Sequence, residues 1–302
     1  MTRILVTGAA GFLGRNLSEA LTNAGHAVTL VDRLERSAMP GLHSQPLSDL
    51  GSLFALMSER RIEVVVHLAC GLLPSSGPEA FLREQQEVLA PSFALIDECA
   101  RAGIRFVLFS SGGTVYGDAS AGPVREEHPL APKNLYGYSK LLLEEYVRLR
   151  HRSDGLQYLV LRPSNPYGPN QRLGGAQGLI AVAMGRAARG EPLEIWGDGS
   201  AVRDYVDVRD LCAAVGALVE AGISGRALNV GSGVGHSILE VLRLVREVTG
   251  RDLQVRFRPA RGIDVRAVVL DTAALGALIP WAPRPLATGM SDFWRWIEAH
   301  GL

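Results

Sequence analysis

The sequence predicts an α/β fold, a doubly wound parallel sheet with helices on both faces, followed by a smaller C-terminal lobe. Three observations predict it. Short β-prone apolar runs alternate with helix-period stretches through the first half, a glycine-rich turn follows the first run, and the texture changes past Pro163. Taken in order, Ile4-Leu5-Val6 is long enough for a buried parallel strand, and a second run from Ala27 to Val31 ends at Asp32. Glu63 to Leu68, Phe106 to Ser110 and Tyr158 to Arg162 supply three more strands. Apolar positions recur with helical period around 13–24, 88–102 and 138–152. Beyond Pro163, residues Pro166, Pro169, Gly174, Gly175 and Gly178 crowd a loop-rich stretch. A lobe built there is expected over the carboxyl ends of the strands, where open sheets of this kind bind ligands.

Composition narrows the partners. At 302 residues, 47% hydrophobic and 21% charged, the chain can bury a substantial core. Its 31 basic and 31 acidic residues cancel, so no global field recruits nucleic acid or an anionic membrane. No stretch reaches the ~20 apolar residues of a spanning helix, and the apolar start breaks at Gly8, unlike a secretory leader. Cys70, Cys99 and Cys212 are odd in number and widely spaced, which indicates neither a disulfide framework nor a metal site. Cys99 lies in a helical pattern and reads as a small core hydrophobe. A reducing cytoplasm is the expected compartment.

Two motifs carry chemistry. In the first, Gly8, Gly11 and Gly14 follow the first strand at three-residue spacing, and a helical stripe begins at Phe12-Leu13. Glycine lets the chain turn tightly and lets a pyrophosphate approach backbone N–H groups and a helix N-terminus. Three glycines near a strand end are often only a turn. Here, however, Asp32 closes the second strand near the spacing at which a carboxylate takes the adenosine ribose hydroxyls. A carboxylate repels a 2′-phosphate, which favours NAD over NADP, while Arg33 beside it is a mild counter-signal.

The second motif is Tyr136-Gly137-Tyr138-Ser139-Lys140. Tyr136 and Lys140 lie one helical turn apart and share a face. Such pairs are common on surface helices, so the meaning comes from the dinucleotide motif and the Ser110-Ser111-Gly112-Gly113-Thr114 strand end that precede it. A phenol near pH 10 is a poor base at neutrality. An adjacent ammonium, aided by a positive nicotinamide ring, is expected to bring it toward working pH.

With these strings in hand, the chain resembles the extended short-chain dehydrogenases/reductases, specifically the nucleotide-sugar epimerases and dehydratases. The resemblance covers nearly the whole chain: Thr7 to Gly14, Asp32, Asp49-Leu50, His67-Leu68-Ala69, Ser110 to Gly117 and Tyr136 to Lys140. It continues with Arg162 to Pro169, Arg203-Asp204-Tyr205-Val206 and Asn229 to Gly233. It implies a Rossmann-type sheet with an NAD-binding domain over 1–165, a segment of about 204–230 returning to it, and a nucleotide-sugar lobe over most of 166–302.

By that resemblance the cofactor side comprises Gly8, Gly11, Phe12, Leu13, Gly14, Asp32, Asp49, Leu50, Leu68, Ala69, Tyr136, Lys140 and Pro163, with Asp49 toward the adenine. Lys140 would also hydrogen-bond the nicotinamide ribose. His67 would line the cofactor path, although it ends a buried strand and by itself reads as structural. His43, His128 and His151 read the same way. Asn165, Arg203 and Arg261 would hold the nucleotide diphosphate and Asp264 the nucleoside ribose. The plain alternative for Arg203-Asp204 is a surface ion pair. The segment 72–79, rich in Pro, Ser and Gly, is a candidate cap for the sugar.

Departures from the family pattern shape the reaction. Relatives place a serine or threonine hydroxyl where this chain has Gly112. Thr114, two residues on, would point to the same side of an extended chain, and Ser111 is the second candidate. The 4,6-dehydratases of the family carry an Asp-Glu pair where this chain has Gly113-Thr114, so water elimination lacks its usual carboxylates. The expected activity is therefore NAD-dependent epimerisation at C4 of a UDP- or dTDP-hexose, with Tyr136 as base. A dehydratase or a 4-keto-sugar reductase is the alternative. Apolar positions such as Leu95, Ile96, Leu142 and Val147 are expected to exceed what one core can cover, and the resemblance implies that these helices pair between chains, so a homodimer is expected.

Overall fold

The structure, a computed structural model, describes residues 1–34, 39–119, 122–260, 262 and 265–301. In chain order its elements are β1 (Arg3–Thr7), α1 (Phe12–Asn23), β2 (Ala27–Asp32), β3 (Leu42–Ser44), α2 (Leu50–Glu59), β4 (Val64–His67) and α3 (Pro78–Glu84). A π-helical turn (Gln85–Leu89) leads into α4 (Ala90–Ala102), β5 (Arg105–Phe109), α5 (Leu135–Asp154), β6 (Tyr158–Pro163), β7 (Asn165–Tyr167), α6 (Leu179–Arg189) and β8 (Leu193–Trp196). The chain continues through β9 (Val202–Asp207), α7 (Val208–Glu220), β10 (Arg226–Val230), β11 (Gly235–Ser237) and α8 (Ile238–Thr249). It closes with β12 (Val255–Arg258), β13 (Ala267–Val268), α9 (Ala273–Gly276) and α10 (Leu286–Ala299).

Among the described residues, seven strands form one parallel sheet in the order β10-β6-β5-β4-β1-β2-β3. From β1 the chain builds outward first toward β3 and then toward β10, so the order reverses beside β1, where open sheets leave a crevice. Successive side chains of a strand face opposite sides. Ile4 and Val6 accordingly enter the core under α1 and α7, whereas Leu5 enters the core under α2, α4 and α5. Both faces are covered, which is why these strands read as unbroken apolar runs rather than as alternation. A third core, built on α6, α8 and α10 and including Met184, Val241 and Phe293, sits in the C-terminal part around the small β9 sheet.

Two expectations need correction. Leu95, Ile96 and Val147 are fully buried in this chain's own core, and Leu142 packs against it, so they are not spare dimer surface. The exposed apolar side chains nearby are Leu82, Tyr138 and Leu149. The helix expected over 88–102 is longer, because α3 and the π turn precede α4. Pro91 has no N–H for the Glu87 carbonyl and its ring would crowd that carbonyl, and the widened turn accommodates both. Consequently Pro78 and Glu79 of the proposed sugar cap are the first residues of α3. No helix among the described residues is long and apolar enough to cross a membrane.

Candidate active site

The glycine turn is dictated by close approach. Gly8 has φ +72°, and a Cβ there would sit 2.9 Å from the Ala69 nitrogen and 3.0 Å from the Leu68 carbonyl carbon, so the turn after β1 lies directly on the end of β4. A Cβ on Gly14 would come 2.3 Å from the Gly8 oxygen, which lets α1 start tight against the turn. Gly11 caps α1 without a side chain, leaving the N-terminal end, where Phe12 and Leu13 begin the helix, open for an anion. Asp32 lies against this turn, its carboxylate accepting from the N–H groups of Ala10 and Leu34, both at 3.1 Å. Arg33, the counter-signal for a phosphate, reaches Glu87 at 3.5 Å on the surface. Asp49 caps α2 ahead of Leu50 by accepting from the Ser52 N–H at 3.2 Å.

At the ends of β4 and β5 the turn meets the second motif. Asn134 caps α5 by accepting from the Gly137 N–H at 2.9 Å, which starts the helix so that Tyr136 and Lys140 share a face. The Lys140 ammonium lies 5.8 Å from the centre of the Tyr136 ring, and only 3% of Lys140 is exposed. Burial pushes the Tyr136 phenol above its ordinary value, and Lys140 and a hydrogen bond with Ser111 pull it down only in part. Lys140 pulls in the expected direction, but in the protein by itself desolvation outweighs it. Lys140 remains an ammonium. Burial alone would lower it, but Cys70, Tyr136 and Glu84 together hold it above the ordinary lysine value.

His67 lies close by but does no proton work. It is fully buried with both ring nitrogens engaged, Nδ1 with the Thr7 hydroxyl at 2.8 Å and Nε2 with the Ser92 hydroxyl at 2.9 Å. Burial, assisted by the Lys140 charge, lowers its pKa to about 3.

The departure at Gly112 has a packing cause. A Cβ there would lie 2.6 Å from Leu270 and 2.8 Å from the Arg162 carbonyl oxygen, so serine or threonine does not fit. Thr114 is not reached along an extended chain as expected. Residues 112–114 form a turn in which the Ser111 carbonyl accepts from Val115 at 3.2 Å. That turn nevertheless packs Thr114 against Gly137, beside Tyr136, and leaves its hydroxyl buried without a hydrogen-bond partner. The Ser164 hydroxyl, one residue past Pro163, is in the same state. Orphaned buried hydroxyls cost about 1–3 kcal/mol each, and these two follow the carboxyl ends of the neighbouring strands β5 and β6, where open sheets bind ligands.

The remaining candidates divide. Asn165 donates from Nδ2 to the Asp204 carbonyl at 2.8 Å, and its Oδ1 lies near Gly113. Arg203 donates to the carbonyls of Val202, Arg266 and Val265. Asp204 is fully buried and accepts from Ser232, Gly233 and Leu270, so the pair is no surface ion pair. Arg261 and Asp264 lie outside the described residues. Sequence reasoning missed Cys70, Glu84 and Ser164. Glu84 gave no signal at all, since it stands among exposed charged and amide residues in a helical stretch. Among the described residues, no group of three or more His, Cys, Asp or Glu is placed to hold a metal ion.

Comparisons with known proteins show the family. A family model, the NAD dependent epimerase/dehydratase family, matches residues 4–231. The chain is 31% identical to UDP-glucose 4-epimerase of Bacillus subtilis over 97% of its own length and 96% of that protein's. It is 35% identical to UDP-glucose 4-epimerase of Azospirillum brasilense, covering 93% and 87%. Among solved structures, UDP-glucose 4-epimerase of Thermotoga maritima with UDP-glucose superposes with a TM-score of 0.93 at 30% identity, covering 99% of both chains. The Thermus thermophilus UDP-glucose 4-epimerase complex with NAD has a TM-score of 0.89 at 31% identity, covering 97% and 98%.

Proposed function

The chain belongs to the NAD dependent epimerase/dehydratase family, and from that premise we propose that it inverts C4 of a nucleotide-diphosphate hexose, a UDP- or dTDP-sugar, through a transient 4-keto sugar. The observation that carries the reading is the meeting of Tyr136 and Lys140 with the unpartnered Thr114 hydroxyl, at the carboxyl ends of the same sheet whose first strand runs into the glycine turn. The turn, the open end of α1 and the Asp32 carboxylate fit a dinucleotide with a free ribose 2′-hydroxyl. NAD, when bound, supplies the hydride acceptor and donor for C4 and, oxidised, a positive ring whose field adds to that of Lys140.

The chain's own groups do the rest. Tyr136 removes the C4 hydroxyl proton and returns it after the sugar has turned over in the pocket. Lys140 holds the phenolate against the burial that opposes it. The Thr114 and Ser111 hydroxyls hold the reacting oxygen in line. Asn165 and Arg203, together with Arg261 and Asp264, form the nucleotide side. In support, Arg203 bonds to carbonyls at 265 and 266, at the root of the segment that carries Arg261 and Asp264.

We read residues 1–165, with the return through about 204–230, as the cofactor domain and most of 166–302 as the sugar lobe. A homodimer covering the exposed Leu82, Tyr138 and Leu149 completes the reading, and a monomer by sedimentation would end that part of it. To test the activity, the purified protein is incubated with UDP-glucose or dTDP-glucose, with and without added NADH or NADPH, and products are resolved by NMR. The C4 epimer is expected without added reductant. A 4-keto or unsaturated product, or turnover only with reductant, overturns the proposal in favour of a dehydratase or a reductase.

A further inference from the structure

Arg33 is the residue that the reaction above leaves without a task. It directly follows Asp32, whose two carboxylate oxygens are each engaged beside the glycine turn, Oδ2 by the Ala10 N–H and Oδ1 by the Leu34 N–H, both at 3.1 Å. Those two bonds fix the acid at the end of β2. An arginine beside such an acid has an alternative use, because a guanidinium there accommodates the 2′-phosphate of NADP. In this chain Arg33 Nη1 lies 3.5 Å from Oε2 of Glu87, which stands in the π-helical turn between α3 and α4. The two side chains are 69% and 59% exposed. A pair this exposed contributes about 0–1 kcal/mol to stability, so folding does not depend on it. Its consequence is local: the guanidinium that adjoins the ribose acid is already engaged by a second carboxylate from a distant part of the chain.

We propose that Glu87 is a specificity-determining residue for the cofactor: by engaging the Arg33 guanidinium it denies a 2′-phosphate its ligand and so keeps the site for NAD. The charges give the sense of the effect. Asp32 and Glu87 outnumber Arg33, so a phosphate arriving at the 2′ position meets net negative charge from these three groups. A 2′-hydroxyl carries no charge there and needs only the Asp32 carboxylate. Without the Glu87 charge, Asp32 and Arg33 cancel, and the guanidinium can turn to a phosphate and bind it through two parallel N–H groups.

The inference rests on the reading of Asp32 as the acid that takes the adenosine ribose, and its test separates the two. Each protein is made by cell-free synthesis with NAD and NADP at equal concentration and dialysed to equilibrium against the same mixture. The retained dinucleotides are then released and counted by mass spectrometry. The wild type should retain mostly NAD, and equal retention of NADP overturns the inference. Glu87→Gln should raise the ratio of NADP to NAD about two- to fivefold at low salt, and high salt should shrink that gain because exposed charges are screened. Both side chains of the pair are exposed, so neither substitution is expected to disturb folding. In an Arg33→Ala background the gain from Glu87→Gln should vanish. A ratio unmoved by Glu87→Gln overturns the inference, and so does a gain of equal size with Arg33→Ala, which would assign the effect to the Glu87 charge alone. Asp32→Asn leaves the pair in place and should also raise the ratio. If Glu87→Gln raises it and Asp32→Asn does not, the ribose reading of Asp32 falls while the role of Glu87 stands.

Discussion

Helix α5 serves two buried polar clusters one turn apart, and they are built on opposite terms. At Glu144 the network is closed. Its carboxylate, fully buried, accepts from Ser110, from Nε and Nη2 of Arg162 at 3.0 and 2.6 Å, and from Arg148 at 2.7 Å. Arg162, 1% exposed, spends Nη1 on the Tyr116 hydroxyl and the Glu126 carbonyl, both at 2.8 Å, and Tyr116 in turn donates to Asn229 at 2.6 Å. Together these bonds tie β5, β6, β10 and the loop between β5 and α5 into one body. At Tyr136 and Lys140 the network is open: the Thr114 hydroxyl beside Gly137 lacks a partner, and burial works against the phenol's charge. A satisfied buried network rigidifies, whereas an unsatisfied one costs stability and persists where a ligand completes it.

Mutations at the two clusters should therefore part company. Tyr136→Phe is expected to lower turnover about 10²- to 10⁴-fold, with folding stability changed by no more than about 1 kcal/mol; steady-state kinetics and denaturant titration on the same sample check both. A Phe variant with intact turnover would erase the distinction. Glu144→Ala should act the other way round. It strands the Arg162 guanidinium without its partner in the core and is expected to destabilise by about 3–5 kcal/mol, read as a fall in the urea midpoint. The smallest effect sharpens the comparison most. Thr114→Val, nearly isosteric, removes an orphan hydroxyl, so stability should hold or rise by about 1 kcal/mol. Turnover, in contrast, should fall about tenfold, a barrier increase of about 1.4 kcal/mol. If turnover is unchanged, Ser111 carries the hydroxyl role.

Much of the frame was legible because it is local. Strands at β1, β2, β4, β5 and β6 announce themselves as apolar β-prone runs, and burial on both faces leaves no polar alternation to confuse them. The glycines of the first turn and the Tyr136–Lys140 spacing are equally local. The rest required contacts between distant segments. Spare apolar surface could not be told from core at Leu95 or Val147, because helical periodicity gives the width of a stripe and not what covers it. The Thr114 argument assumed an extended chain where a turn forms. Asp49 reads as an acid for a ligand, and only the structure shows that its carboxylate also caps a helix. Glu84 reads as one more solvated charge until the Gly71 N–H is seen to hold it.

What the sequence by itself determined is the sheet, the anion-ready glycine turn and the phenol–ammonium pair, since each depends on residues within a few positions of one another. Tertiary structure alone decided which polar groups are satisfied and which are left waiting. That Gly112 cannot bear a side chain, that Thr114 keeps a free hydroxyl and that the Gly71 N–H holds Glu84 all depend on segments from separate parts of the chain. The physical reason is that desolvation and hydrogen-bond satisfaction are set by the full surroundings of an atom, and no short stretch of sequence contains them.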